Sequence, residues 1–306
     1  MSTVIEDIFA RKIFDSRGEE TIEVDVLTAS GFGRSSAPAG ASRGKAEAVP
    51  YPKGGVDRAI KKVKEIVAPK LIGVEANQQK EIDSLLHGID GTTDFSSIGG
   101  NTAYAVSLAT AEAAANSCGV PLFQHLAGYS ASELPFPLGN VLGGGKHAGG
   151  KAPDIQEFLV LPLKADSFLD AARINTLVHQ KVGSLLRKTD ATLVGGKGDE
   201  GAWAPKMKNE DVLEILTQVC EEVSEEFEVE CKVGLDFAAS TLWNVKENCY
   251  VYVQDRVRRV SGEQLDYVLS LIKKYGIVYV EDPFHEEDFE SFAELSKRVK
   301  ECLICG

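Results

Sequence analysis

Acidic residues at the ends of apolar runs are the chemistry-bearing feature of this chain. Ile277-Val278-Tyr279-Val280 leads into Glu281-Asp282, and Pro283 then bars continuation. Val233-Gly234-Leu235 leads into Asp236, and Val194 to Gly198 leads into Asp199-Glu200. Continuous apolar runs of this length suit strands buried on both faces, as in a parallel sheet. At the C-terminal end of such strands α/β barrels place their catalytic groups. Acids gathered there offer only oxygen as ligand, which favours a hard cation such as Mg²⁺ over zinc. The plainer alternative for Asp236 and Glu281 is a loop cap, each carboxylate bonding backbone amides. Glu200 taken alone reads as an ordinary loop acid, and His147, in a glycine-rich loop, as a mobile surface residue.

The elements that must position these acids fall into two regions. Thr21 to Val26 alternates in the manner of a half-wet strand, with Thr3 to Phe14 as its antiparallel partner across the turn Asp15-Ser16-Arg17-Gly18. A third strand around Phe32 to Ala37 completes a meander. Ala37 to Gly44 is small and glycine-bearing, which suits either a flexible surface loop or a lid closing on a ligand. Helices follow: Val56 to Val67 and Ile82 to Leu86 carry apolar residues at helical spacing, and Asn101 to Cys118 is alanine-rich and ends at Gly119. This predicts an α+β domain over residues 1–134.

After Pro135-Phe136-Pro137 strand and helix alternate. Strands are expected at Leu138 to Leu142, Ile155 to Leu163, Leu193 to Gly196, Cys231 to Phe237, Ile277 to Glu281 and Cys302 to Cys305. Helices are expected at Ser167 to Leu186, Glu210 to Phe227, Gly262 to Tyr275 and Glu287 to Val299. Ser261 with Gln264 has the spacing of a capping box, and Gly276 closes that helix. The alternation predicts an α/β domain over 135–306 with a parallel sheet and right-handed crossovers. Six strands are too few to close an eight-stranded barrel.

Bulk properties narrow the function. A charged fraction of 26% and a net charge of −13 argue against a nucleic-acid surface, and an anionic substrate would need local cations or metal. The six cysteines are scattered and read as buried hydrophobes of a reducing compartment. Neither a signal peptide nor a membrane span is expected from the sequence.

Seven motifs in order resemble the enolase family, of its divergent archaeal sort. They are Asp15-Ser16-Arg17-Gly18, Gly40-Ala41-Ser42, Gly144-Gly145-Lys146-His147-Ala148-Gly149, Gln156-Glu157-Phe158, Gly198-Asp199-Glu200-Gly201, Leu235-Asp236 and Val280-Glu281-Asp282-Pro283-Phe284-His285. The resemblance covers the whole chain. It implies a small N-terminal domain followed by a TIM-like barrel, here incomplete after about six strands. It implies a carbon–oxygen lyase of cytoplasmic glycolysis and gluconeogenesis that reversibly dehydrates 2-phospho-D-glycerate to phosphoenolpyruvate with two Mg²⁺ per site.

By the same resemblance, Asp236 and Glu281 bind the first Mg²⁺. Ser42, beside Ala41 on the mobile loop, ligates the second together with substrate phosphate. Glu200 is the general acid with Glu157 beside it, His147 covers the substrate, and Gln156 helps position it. Arg11 and Glu23 are plausible charges of a homodimer or larger homo-oligomer. The family's third metal carboxylate and its lysine base would follow Gly306, so the chain by itself is expected to be inactive. Glu19-Glu20, Arg43 and Ala202-Trp203 depart from the family's common residues without touching a named ligand. A non-catalytic paralogue serving as an interaction or assembly subunit is the alternative.

Overall fold

A computed structural model describes residues 2–40, 43–148, 152–189 and 196–306. Ala41, Ser42, Gly149 and most of the strand expected at Leu193 to Gly196 lie outside the described residues. The chain divides into two compact units, Met1–Glu133 and Leu134–Gly306.

In the first unit β1 (Ile5–Phe14), β2 (Glu20–Thr28) and β3 (Phe32–Ser36) form the expected antiparallel meander in the order β1-β2-β3. Asp15 makes the first turn by accepting from the amides of Arg17 and Glu19, and Gly18 takes a φ of 79°. The helical stretch from Val56 is three pieces: α1 (Gly55–Lys62), a π-helical turn (Val63–Val67) and α2 (Ala68–Leu71). Pro69 has no amide to give the carbonyl of Glu65, and the widened turn lies directly ahead of it. Then come α3 (Gln79–Asp90), α4 (Gly100–Cys118) and α5 (Leu122–Ala127). The alanines of α4 let it lie close on the sheet: a Cβ added at Gly33 would stand 2.0 Å from the carbonyl oxygen of Ala109. Arg11 pairs within the chain, with Glu23 and with Asp25 at 2.7 Å, and Arg34 also holds Asp25 at 2.7 Å.

The second unit contains β4 (Gly139–Gly143), α6 (Gly145–Ala148), β5 (Glu157–Leu163), α7 (Phe168–Thr189), α8 (Asn209–Phe227) and β6 (Glu230–Asp236). A small antiparallel sheet follows, of β7 (Trp243–Asn244), β8 (Cys249–Tyr252) and β9 (Val257–Arg259). The unit ends with α9 (Ser261–Tyr275), β10 (Tyr279–Glu281), α10 (Phe289–Arg298) and β11 (Leu303–Cys305).

The main sheet has the order β11-β10-β6-β5-β4 and is mixed, which corrects the expectation of a parallel one. β6, β10 and β11 are parallel, but β5 runs antiparallel to both β4 and β6. The connections account for this. Between β4 and β5 the described residues hold only the four-residue α6, too short to carry the chain back along the sheet, so β5 turns back antiparallel beside β4. Two helices, α7 and α8, join β5 to β6, and two helical passes return the chain to the end from which it left. One pass, through α9 or α10, gives the parallel pairs.

The sheet β7–β9 was not expected from the sequence. Its turns use Asn248 and Arg256 at positive φ, 50° and 56°. The buried Asp154 carboxylate anchors the second turn, accepting from the amides of Val253, Gln254 and Asp255 at 2.8–3.1 Å. The capping box expected of Ser261 and Gln264 is also corrected. Glu263 accepts from the Val260 amide, while Gln264 is fully buried, accepting from the Tyr252 hydroxyl and donating to the Pro283 carbonyl. Tyr252 fills the interior and leaves a hydroxyl to satisfy, so the amide serves the core.

Candidate functional site

One register row crosses the whole sheet. Gly143 of β4 faces Glu157 of β5, Glu157 faces Asp236 of β6, Asp236 faces Glu281 of β10, and Glu281 faces Cys305 of β11. Register partners share a face. Asp236 and Glu281 end their strands, whereas Glu157 begins its own, and the reversal of β5 brings it to the same rim.

The carboxylate of Asp236 is held on both oxygens. The Ala238 amide donates to Oδ1 at 2.8 Å and the Gln156 side chain to Oδ2 at 3.1 Å. Glu281 Oε2 accepts from the Tyr279 hydroxyl at 2.6 Å. Burial and the charge of Glu281 push Asp236 up to about 6, against the Ala238 and Gln156 donors that pull it down. Burial first, then the charges of Asp236 and Glu200, push Glu157 up to about 8. Burial and the neighbouring Glu281 raise Asp282 as well, and burial and Glu281 raise the Tyr279 phenol, which stays a donor. These acids crowd together, and the cost of ionising them together is what a bound cation would remove.

His147 ends up buried, not mobile on a surface. Its Nδ1 lies 2.8 Å from Asp199 Oδ1 and 3.7 Å from Glu200, and its Nε2 lies 3.5 Å from Glu157. One ligand atom from each of His147, Glu157 and Glu200 lies within 4.8 Å of the other two, a spacing that could hold a metal. Asn140 of β4 donates to Glu200 Oε2 at 3.1 Å.

The loop carrying Asp199 and Glu200 is fixed by Trp203, which extends β4: the Gly143 amide donates to the Trp203 carbonyl at 2.9 Å and the Trp203 amide to Val141 at 3.0 Å. The indole donates to the His179 carbonyl and sits against Gly183, where a Cβ would fall 2.2 Å from the ring. Gly198 lets the loop meet the His147 backbone, since a Cβ there would stand 2.7 Å from its carbonyl oxygen.

Of the residues named from sequence, the structure thus brings together His147, Glu157 and Glu200, and sets Gln156, Asp236 and Glu281 along the row beside them. Ala41 and Ser42 lie outside the described residues. Sequence reasoning passed over Asn140 and Tyr279 as contacts of the site, and it named Asp199 among the strand-end acids without giving it a partner. Tyr279 was visible in principle, because a residue two before Glu281 on a strand shares its face. His285 packs structurally, stacked on Trp243 with its amide donating to the Tyr250 hydroxyl.

The residues fit a divalent cation. Asp236 and Glu281 present carboxylate oxygens in register, and Gln156 Oε1, buried beside them, has no hydrogen-bond partner among the described residues. An all-oxygen set with an orphaned amide oxygen suits a hard ion.

Comparison with known proteins agrees. Residues 5–126 match the family description "Enolase, N-terminal domain", and residues 131–306 match "Enolase, C-terminal TIM barrel domain". The chain is similar to the enolase of Methanosphaera stadtmanae, at 53% identity over 100% of this chain and 74% of that protein. It is 50% identical to the enolase of Methanothermobacter thermautotrophicus, with the same coverage, and 46% identical to that of Haloarcula marismortui over 99% of this chain and 75% of that protein. With matches along its full length and the carboxylate row in place, the chain belongs to the enolase family.

Proposed function

We propose that the rim of the second unit reversibly dehydrates 2-phosphoglycerate to phosphoenolpyruvate, with Asp236 and Glu281 holding Mg²⁺. The observation that carries this reading is the register row Glu157–Asp236–Glu281, three carboxylates on adjacent strands with His147 and Glu200 beside them. A bound divalent cation would supply positive charge to a substrate carboxylate whose neighbouring carbon loses a proton.

The chain's own residues supply the acid side of the reaction and hold the metal ligands in place. Glu157, raised to about 8, holds its proton at neutral pH within hydrogen-bonding reach of Glu200, and such a pair retains a proton for a departing hydroxyl. Glu200 is the acid in this reading, aimed by the Asn140 amide. Asp199 engages Nδ1 of His147 and leaves Nε2 facing Glu157. Gln156 fixes Asp236 and offers at the site an oxygen without a hydrogen-bond partner among the described residues. Ser42 completes the reading as ligand of a second Mg²⁺, with Ala41 beside the substrate, on the strength of the Gly40-Ala41-Ser42 motif.

Family membership also supports a homo-oligomer working in cytoplasmic glycolysis and gluconeogenesis. Among the described residues no helix is long and apolar enough to cross a membrane.

The test is formation of phosphoenolpyruvate from 2-phosphoglycerate with Mg²⁺, followed by ultraviolet absorbance. It is run on the 306-residue chain and on a version extended to the relatives' length, since this chain spans about three quarters of them. Turnover in either that is lost in Glu200→Gln supports the reading. Turnover in neither, or turnover indifferent to Glu200→Gln, overturns it.

A further inference from the structure

The two strand-end acids, Asp236 and Glu281, are held by different means. Asp236 is a short side chain fixed on both oxygens by a backbone amide and by Gln156. Glu281 has one more rotatable bond, and among the described residues its side chain accepts from Tyr279, at 2.6 Å to Oε2. That bond is built into the sheet. Tyr279 and Glu281 stand two apart on β10 and so share a face. The register partner of Tyr279 on β6 is Gly234. A Cβ at Gly234 would lie 3.2 Å from the Tyr279 Cβ, 3.1 Å from Leu161 Cδ1 and 3.4 Å from Leu159 Cβ, so the missing side chain leaves the room the tyrosine occupies. Cys305 is the register partner of Glu281 on β11.

We propose that Tyr279 is a positioning residue of the cation site, whose hydroxyl holds Glu281 Oε2 and so leaves Oε1 to face the ion shared with Asp236. The inference rests on the reading of Asp236 and Glu281 as cation ligands. A carboxylate bonded on one oxygen loses less freedom on meeting an ion than one that turns freely, which is how residues behind a ligand raise metal affinity. The competing account is that Tyr279 merely fills the sheet interior. Tyr279→Phe separates the two, because it keeps the ring and removes only the hydroxyl.

The experiment titrates Mn²⁺ into the purified protein extended to the relatives' length, reading free Mn²⁺ by electron paramagnetic resonance, with thermal melting of the metal-free proteins alongside. The expected result is about tenfold or greater weakening in Tyr279→Phe, the range seen when a group behind a metal ligand is removed, with the metal-free melting temperature unchanged or raised. Wild-type affinity in Tyr279→Phe overturns the inference and leaves the tyrosine as filling, as does a loss of affinity matched by a loss of metal-free stability. Asp236→Asn and Glu281→Gln are measured beside it. If Mn²⁺ binds the wild type and both of these variants equally, or binds none of them, the cation-site reading itself fails and the inference falls with it.

Discussion

Glu157 opens β5 and Asp236 closes β6, yet they stand opposite each other in the antiparallel register. Their carboxylates therefore meet at one rim while lying 79 positions apart in the chain (236 − 157). Burial and then the charge of Asp236 raise Glu157 to about 8, while burial and the charge of Glu281 raise Asp236 to about 6.

Stability without metal should accordingly fall as pH rises. Both groups have folded-state values above their unfolded ones, near 4.5 and 3.8. The folded state binds the extra protons, so it is favoured below the unfolded values and loses that advantage between about pH 4 and pH 8. The slope is about 1.4 kcal/mol per pH unit for each proton of difference. Urea midpoints in chelator at pH 5, 6.5 and 8 should decline, and Glu157→Gln should flatten the upper part of the curve. A midpoint rising from pH 6.5 to 8 would contradict this.

Divalent cation should reverse the decline. At pH 8, Mg²⁺ at a hundredfold its dissociation constant should stabilise the wild type by about 2.7 kcal/mol. Asp236→Asn should abolish that gain while leaving the metal-free protein as stable or more stable, because it removes a crowded charge. Calorimetry with and without chelator reads both effects.

Gly198→Ala should move His147. The new Cβ would stand 2.7 Å from the His147 carbonyl oxygen, backbone that yields only by shifting the loop. We expect at least tenfold lower turnover in a form of the protein that is active, with a stability loss of about 1–3 kcal/mol. The His147 ring resonances in a ¹⁵N-histidine spectrum should shift most among the five histidines.

Ala238→Gly should stabilise. Ala238 sits at φ 44°, ψ 48°, a left-handed conformation that costs a side-chain-bearing residue about 1–2 kcal/mol. Glycine removes that strain and gives back about 0.5–1 kcal/mol in unfolded-state entropy. A net gain of up to about 1 kcal/mol should appear as a higher denaturant midpoint, with the amide bond to Asp236 retained.

Asp236 and Glu281 were legible because each ends an apolar run, and the end of a buried strand is where a sheet turns polar side chains toward a ligand. Glu157 was legible only through its motif. It precedes its apolar run, and nothing local in Gln156-Glu157-Phe158 tells that β5 is reversed. The reversal depends on how many helices intervene, which is a property of the connection and not of the strand. The sheet β7–β9 was missed because its strands are two to four residues long and its turns use Asn248 and Arg256 at positive φ without a glycine. Asp154 carries no local signal of its role, since the amides it satisfies lie about a hundred residues later. Gln264 showed the spacing of a cap, and only the buried Tyr252 hydroxyl reveals its other use.

The paired excursion through α7 and α8 makes parity the rule that assembles the site. Gaining or losing helices two at a time between β5 and β6 leaves every carboxylate on the rim where it now stands. Losing α7 or α8 alone would turn one strand end for end and carry Glu157 to the far side of the sheet from Asp236, even with no residue of the row altered. Variation in that connection should therefore come in whole hairpins of helix, and a variant lacking a single helix of the pair should lose its acid pair even where its sheet still forms.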